Sequence, residues 1–411
     1  MVDSARSPEA LPTRILVFNT LAFALSFAVW VIFGPSSRAI AKELHLTLAT
    51  AALLKSTPIL VGSLTRIPIG ILTDRLGARL MFPLLMLCGA GAAVAISFGS
   101  SFAQILGGGA VLGLVGATFA VGVQSVSSWT PKARQGTALG VFGAGNIGTA
   151  ITTFGLPLLL AAWGWRVGFR IYAGGIATMA ILYLTTIRNT ARSGAAPSLR
   201  ALIGPLGQAR TWRFGLYYMA CFGAFVAATL VLGDLYIDAY RVKPTTAGLL
   251  VTTFTFSASL IRILGGKLAD RHGARKVVRW SLLASMVALV PVTLGLPIAA
   301  MVLAVLVAGL AMGICMGASM KYVPEYFPGS VGAVGGIVGA LGGVGGFLLP
   351  LAGAQAKALF GSPFAAILPM VLVMVAAALV QHVAVTQLRI EAVRKAETTT
   401  TTTADGQTRA A

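Results

Sequence analysis

The chain has 411 residues; 57% are hydrophobic, only 10% are charged, and 49 are glycine. Soluble globular domains carry roughly 25% charged residues, so a soluble domain is excluded, and the glycines follow no three-residue period that would suggest a collagen-like chain. The formal net charge is +20, from 31 basic and 11 acidic residues; most of the length is uncharged apolar runs with nothing to offer a phosphate backbone, so the surplus points to a membrane protein rather than a nucleic-acid binder.

In chain order, twelve apolar runs reach the ~20 residues that a membrane-crossing helix needs. They are 15–38, 48–72, 80–99, 102–128, 138–161, 167–187, 214–237, 246–267, 277–295, 299–320, 331–356 and 364–387. None alternates polar with apolar residues, as barrel strands would. The first run is too long for a signal-peptide core, and Pro35-Ser-Ser-Arg38 reads as a helix exit rather than a cleavage site. Cys88, Cys221 and Cys315 lie inside runs, at spacings that suit neither a metal site nor a disulfide framework. No GxxxxGK[ST] phosphate loop occurs, so direct ATP drive is not expected; covalent chemistry, a cofactor and a metal are not expected either, and the chain does not read as an enzyme.

Basic residues in the connections orient the runs. With the N-terminus in the cytoplasm, 21 of the 31 fall on the cytoplasmic side and seven on the other, while Lys55, Arg66 and Arg262 lie inside spans. Both termini are therefore expected inside. The longest connection, 188–213, is basic and carries Gly194, Pro197, Gly204 and Pro205. It separates six runs from six. The expected organisation is a cytoplasmic tail (1–13), a six-helix bundle (14–187), a cytoplasmic linker (188–213), a second six-helix bundle (214–388) and a disordered tail (389–411) with a threonine run at Thr398–Thr403.

The halves repeat. Ser63–Arg79 reads SLTRIPIGILTDRLGAR and Ser259–Arg275 reads SLIRILGGKLADRHGAR, eleven of 17 positions identical at an offset of 196. A second pair, Gly136–Gly148 and Gly332–Gly345, recurs at nearly the same offset. Corresponding spans run the same way, so the expected symmetry axis lies along the membrane normal. Gly70–Arg79, with Asp74, Arg75 and Gly77, resembles the loop 2–3 signature of the major facilitator superfamily, and Gly266–Arg275, with Asp270 and Arg271, is a second copy. Read physically, the loop is a latch: the acid caps an adjoining helix N-terminus or pairs with a base, and glycine permits a tight turn. The expected fold class is thus an all-α membrane protein with twelve transmembrane helices in two pseudo-symmetric bundles.

Arg66 and Arg262 each lie eight residues before the latch acid, or ~12 Å along a helix, near the middle of a hydrocarbon layer ~30 Å thick. A charge there costs at least ~2.5–3.5 kcal/mol. An internal salt bridge would relieve it, yet all eleven acids (Asp3, Glu9, Glu43, Asp74, Asp234, Asp238, Asp270, Glu325, Glu391, Glu397 and Asp405) fall in tails, loops or span ends. Two midspan arginines without a fixed acid suit an anion held between them, because the planar guanidinium grips an oxyanion with two hydrogen bonds. When the site is empty they repel each other, so closure is favoured only when it is loaded.

Glycines line the fifth span (Gly140, Gly143, Gly145, Gly148) and the eleventh (Gly335, Gly336, Gly339, Gly342, Gly343, Gly345, Gly346); small residues let membrane helices approach closely. Asn146 is a polar amide within such a stretch and needs a partner, an anion or a backbone group. These two spans resemble the paired signatures of the nitrate/nitrite porter family, and Arg66 and Arg262 match its substrate-binding arginines. The stretch Tyr218-Met-Ala-Cys-Phe222 is similar to the family's tyrosine followed by a substrate-packing aromatic, and Gly116-Ala-Thr-Phe119 to its opposing phenylalanine. The resemblance implies nitrate between the Phe119 and Phe222 rings, gripped by Arg66 and Arg262, with Asn146 and Tyr218 donating hydrogen bonds. Lys321, at the inner end of span ten, reads either as an interfacial lysine near Glu325 or as a third cation on the path, a gating candidate together with Gly143, Gly145, Gly339 and Gly343.

The expected function is transport of nitrate, and of nitrite, across the cytoplasmic (inner) membrane by alternating access. The energy source is either nitrate/nitrite exchange or proton coupling. The partners are the anion, the proton in the second case, and membrane lipids; nucleic acid is not one, and a monomer is expected to suffice. The arginine pair alone would also suit another small anion such as oxalate, and a non-transporting nitrate sensor is the reading from a different class.

Overall fold

The computed structural model describes residues 10–187 and 199–387. Residues 1–9 of the expected tail 1–13, the whole expected tail 389–411 and residues 188–198 of the expected linker lie outside the described residues, while residues 10–13 belong to the first helix rather than to a tail. The rest of that linker holds a short helix, a 3₁₀ turn and the start of the next long helix, at Ala209 rather than 214.

Among the described residues every regular element is helical. The first half runs α1 (Ala10–Trp30), α2 (Phe33–Glu43), α3 (Leu48–Leu76), α4 (Ala78–Ser97), α5 (Phe102–Gly113), α6 (Thr118–Trp129), α7 (Gln135–Gly143) and α8 (Ile147–Thr186). The second runs α9 (Leu199–Ile203), α10 (Ala209–Tyr218), a π turn at Met219–Gly223, α11 (Ala224–Tyr240), α12 (Pro244–Leu260), α13 (Arg262–His272), α14 (Ala274–Leu289), α15 (Ile298–Met320), α16 (Tyr322–Tyr326), α17 (Val331–Phe360) and a last helical stretch, α18 (Pro363–Gln387). Ten helical stretches among the described residues are long and apolar enough to cross a membrane. Their outer faces carry Trp280, Phe154 and Trp163 at 60–67% exposure, which a bilayer covers and water would not tolerate. This is a multi-pass integral membrane protein.

Pro35 does not end the first helix. The chain bends at Val31–Ile32 and continues helically to Glu43, with Pro35 in the first turn of α2, where its missing N–H has no intrahelical partner to lose. Gly164 (φ 76°, ψ 169°) breaks the 55-residue stretch 132–186 into two arms. The repeat loops fold alike: α3 ends on Gly77 (φ 84°) and α13 on Gly273 (φ 83°), 196 residues apart. A positive φ is nearly free for glycine and strained for other residues.

The glycine stretches do their packing across the halves. α7 lies on α13 and α17 lies on α3. A Cβ on Gly140 would stand 2.6 Å from the Arg262 carbonyl oxygen, and its repeat counterpart Gly336 is pressed in the same way on that of Arg66. Side chains at these positions would push the halves apart, so glycine sets how closely the two arginine-bearing helices approach the other half.

Candidate functional site

The latch acids bridge the halves rather than capping their own neighbours. Asp74, at the end of α3, accepts hydrogen bonds from the backbone N–H groups of Gly332 (2.9 Å) and Ala333 (2.8 Å), the first turn of α17. Asp270, at the end of α13, accepts from the N–H groups of Gly136 (2.9 Å) and Thr137 (2.7 Å) and from the Thr137 hydroxyl (2.7 Å), in the first turn of α7. A carboxylate on the orphan donors and positive dipole end of a helix is a favourable pairing. Lys321 sits 3.0 Å from Asp270 and donates to the Ala269 carbonyl at 3.1 Å. Its partner is thus the latch acid, not Glu325. Arg75 is half-buried and Arg271 exposed, both in the last turns of their helices.

About two helical turns from each latch acid lie the two arginines, both fully buried. Arg66 donates from Nε to the Gly116 carbonyl (3.0 Å) and from Nη1 to the Gly339 carbonyl of the other half (2.6 Å). Its guanidinium carbon lies 5.2 Å from the Trp30 and Phe119 ring centroids and 5.7 Å from that of Phe222, in the range of cation–π attraction. Arg262 donates from Nη2 to the Tyr218 hydroxyl (3.2 Å) and lies against Gly143 of the other half, where a Cβ would stand 2.6–2.7 Å from the guanidinium. Among the described residues neither arginine forms an ion pair.

The aromatic residues connect the two. Phe119 and Phe222 are nearly parallel, 10° apart, with centroids separated by 6.5 Å. Tyr218 stacks beside both, at 5.7 and 5.0 Å. α10 passes through a π turn that holds Phe222 next to Tyr218; such bulges re-aim side chains inside an otherwise regular helix. Asn146 is fully buried at the end of the 3₁₀ stretch Ala144–Asn146, and neither its amide nitrogen nor its oxygen has a hydrogen-bond partner. Gly339 faces the Phe119 ring, Gly343 faces Ser63 and the Arg66 guanidinium, and Gly145 packs on Phe23 of α1, away from the arginines.

Five buried polar atoms here have no protein partner: Arg66 Nη2, Arg262 Nε and Nη1, and both amide atoms of Asn146. Four of these are donors, three of them cationic. A buried donor left unpaired costs ~1–3 kcal/mol, and more when charged, and the described residues supply these four donors with no acceptor. The sequence reading missed three contributors. Trp30 was one apolar residue among many, and the Gly116 and Gly339 carbonyls are backbone atoms that carry no side-chain signal.

The family model described as Major Facilitator Superfamily matches residues 20–243 and 213–403. The probable nitrate/nitrite antiporter NarK1 of Thermus thermophilus is 38% identical, over 88% of this chain and 89% of that protein. The nitrite extrusion protein of Bacillus subtilis is 32% identical, over 82% and 85%. The probable nitrate transporter NarT of Staphylococcus carnosus is 29% identical, over 84% and 89%. Among solved structures, the human organic anion transporter MFSD10 superposes with a TM-score of 0.73 at 17% identity, covering 90% of this chain and 99% of that one, which is a likeness of fold.

Proposed function

The chain belongs to the nitrate/nitrite porter family of the major facilitator superfamily, and from that premise we propose that it carries nitrate and nitrite across the cytoplasmic membrane, exchanging one for the other by alternating access. The observation that carries this reading is the set of unpaired buried donors on Arg66, Arg262 and Asn146, beside two parallel rings 6.5 Å apart. A planar guest between two rings needs ~7 Å, twice the usual contact distance, so the rings part by about half an ångström to admit nitrate. Its edge then meets the two guanidinium groups, with the Asn146 amide and Tyr218 hydroxyl completing the shell.

Twelve crossings follow if the 132–186 stretch counts twice across Gly164 and Leu48–Leu76 is added, since its 29 residues reach ~43 Å as a helix. The bundles run over 10–187 and 209–387 among the described residues, with both termini in the cytoplasm, where the basic excess lies. The latches then close the cytoplasmic rim. The ion pairs of the opposite rim, Glu43–Arg166 and Asp238–Lys357, each stay within one half. Opening inward requires both carboxylates to leave the helix N-termini of the other half. A bound anion favours that rocking motion by screening two cations that otherwise repel each other.

Exchange needs no proton relay, and the acids among the described residues sit at helix ends rather than beside the arginines. Counterflow in proteoliposomes tests this. Labelled nitrate is expected to enter vesicles preloaded with nitrite and to ignore an imposed pH gradient. Gradient-driven uptake into vesicles lacking nitrite and nitrate would overturn exchange in favour of proton symport, and uptake of oxalate without nitrate would overturn the substrate.

A further inference from the structure

A second basic cluster lies away from the central site. α10, α14, α16 and α18 enclose a pocket of about 230 Å³ at the rim that carries the latches. Arg210, Arg213 and Arg275 line it, together with Tyr322, Tyr326 and Gln381, and among the described residues no carboxylate lines it. The Arg210 guanidinium lies 4.9 Å over the Tyr326 ring, and Arg275 Nη2 donates to the Tyr326 hydroxyl at 3.2 Å. These contacts hold two cations in place without neutralising them. Phe214 stacks on Tyr322 with centroids 4.5 Å apart and planes 8° apart, forming a rigid wall.

Two buried polar atoms of the pocket residues are unpaired. Arg213 Nε has no hydrogen-bond partner, and Gln381, only 2% exposed, uses its amide nitrogen on the Arg275 carbonyl (3.1 Å) while its Oε1 has none. The ligand that completes the pocket therefore has to offer both negative charge and a donor. Nitrate has no proton to donate, and one negative charge answers poorly to three arginines. A phosphate has oxygens for several guanidinium forks and, as the hydrogen phosphate ion or beside a headgroup hydroxyl, a donor for Gln381. Size agrees, because one water needs only ~10–15 Å³ and the pocket admits a far larger group than a four-atom anion.

We infer that this pocket binds a phosphate-bearing anion, either free in the cytoplasm or as the headgroup of an anionic phospholipid of the inner leaflet. It also has a route to the transport site. Tyr217 lines the pocket and Tyr218 stacks on the Phe119 and Phe222 rings, adjacent residues of one helix. Occupancy braces α10 against α14 and α18, and so sets how freely α10 moves during transport.

The test uses the full chain in phosphatidylcholine nanodiscs. Inorganic phosphate is titrated by calorimetry against nitrate and chloride at equal ionic strength, and melting is compared after part of the lipid is replaced by phosphatidylglycerol. A saturable response to phosphate identifies the free ion, and a raised melting temperature with phosphatidylglycerol identifies the lipid; either supports the site. The double variant Arg213→Gln, Arg275→Gln is expected to weaken the response about tenfold or more, as loss of charge-assisted bonds implies. Gln381→Met keeps the volume, removes the acceptor, and is expected to weaken it severalfold while nitrate counterflow without phosphate persists. The inference fails if neither probe acts beyond nitrate and chloride, or if the double variant responds like the parent. Should the double variant not fold, an unchanged response of Gln381→Met overturns it.

Discussion

Arg66 and Arg262 occupy equivalent places in a repeat with eleven of 17 residues identical, yet the two halves hold them differently. Arg66 is tied by two of its nitrogens to backbone carbonyls, one in each half, and is walled by Trp30, Phe119 and Phe222. That leaves Nη2 unpaired. Arg262 has a single hydrogen bond, to Tyr218, and keeps Nε and Nη1 unpaired. The latches differ in their residues too. Both acids cap a helix of the opposite half, and Asp270 holds Lys321, a position at which the repeat offset puts Ser125 in the first half. Cys315 likewise stands where the first half has Phe119. The repeat thus supplies two buried cations and two bridging acids, and the unrepeated residues tie Arg66 by two hydrogen bonds and Arg262 by one; in the proposed transport cycle the first is the fixed post and the second the freer group.

The sharpest test is to shorten the forks. Arg262→Lys keeps charge and loses two unpaired donors, so nitrate affinity in counterflow should fall by about 100-fold, at ~1.5–3 kcal/mol for each charge-assisted bond. Arg66→Lys should lower affinity less, by about 10-fold, but should also lower the melting temperature of the empty protein, because it breaks the tie to Gly339. Equal losses in both variants would dissolve the distinction between post and freer group, and wild-type transport in either would remove the bidentate grip.

Next come the latches. Asp270→Asn should destabilise the latched rim by about 2–3 kcal/mol, since it weakens three hydrogen bonds and leaves Lys321 without its acid. Asp74→Asn should destabilise it as well, since it weakens the two hydrogen bonds to the first turn of α17, each about 1.5–3 kcal/mol when the acceptor is charged. Cysteine accessibility from the cytoplasmic side reads both, and parental accessibility in either variant would refute the latch role of that acid.

Gly143→Ala and Gly339→Ala ask which neighbour yields. The first places a Cβ against the Arg262 guanidinium and the second against the Phe119 ring, with overpacking costs of ~1–3 kcal/mol. Nitrate affinity should drop about tenfold for Gly143→Ala and less for Gly339→Ala. The smallest effect is expected for Phe119→Leu and Phe222→Leu. Loss of ring stacking, at ~0.5–1.5 kcal/mol, should weaken nitrate by about three- to tenfold. It should weaken nitrite, which is bent, by a similar or smaller factor, and competition assays with the two anions check this.

Much of the fold was legible because membrane physics leaves few choices: apolar runs of about 20 residues become helices, and buried backbone satisfies itself within them. The candidate site was legible in part. Arg66 and Arg262 stand out as midspan charges without an acid, and the paired loops give away Asp74 and Asp270 by their repetition. Phe119, Phe222 and Tyr218 carry no such mark, because in an apolar span an aromatic residue is as ordinary as leucine; only the family resemblance singled them out. Trp30 escaped even that.

By itself, the sequence determined the helices, the twofold repeat and the presence of two uncompensated cations, because composition and local spacing decide each of these. Tertiary structure decided which half each group reaches. It put Asp74 on α17 and Asp270 on α7, gave Lys321 its acid, set the Phe119 and Phe222 planes parallel, and spent two of the Arg66 donors on carbonyls 50 and 273 residues away. Those outcomes depend on how closely α7 and α17 approach the opposite half, a distance fixed by contacts between remote glycine-faced helices, and no local pattern encodes it.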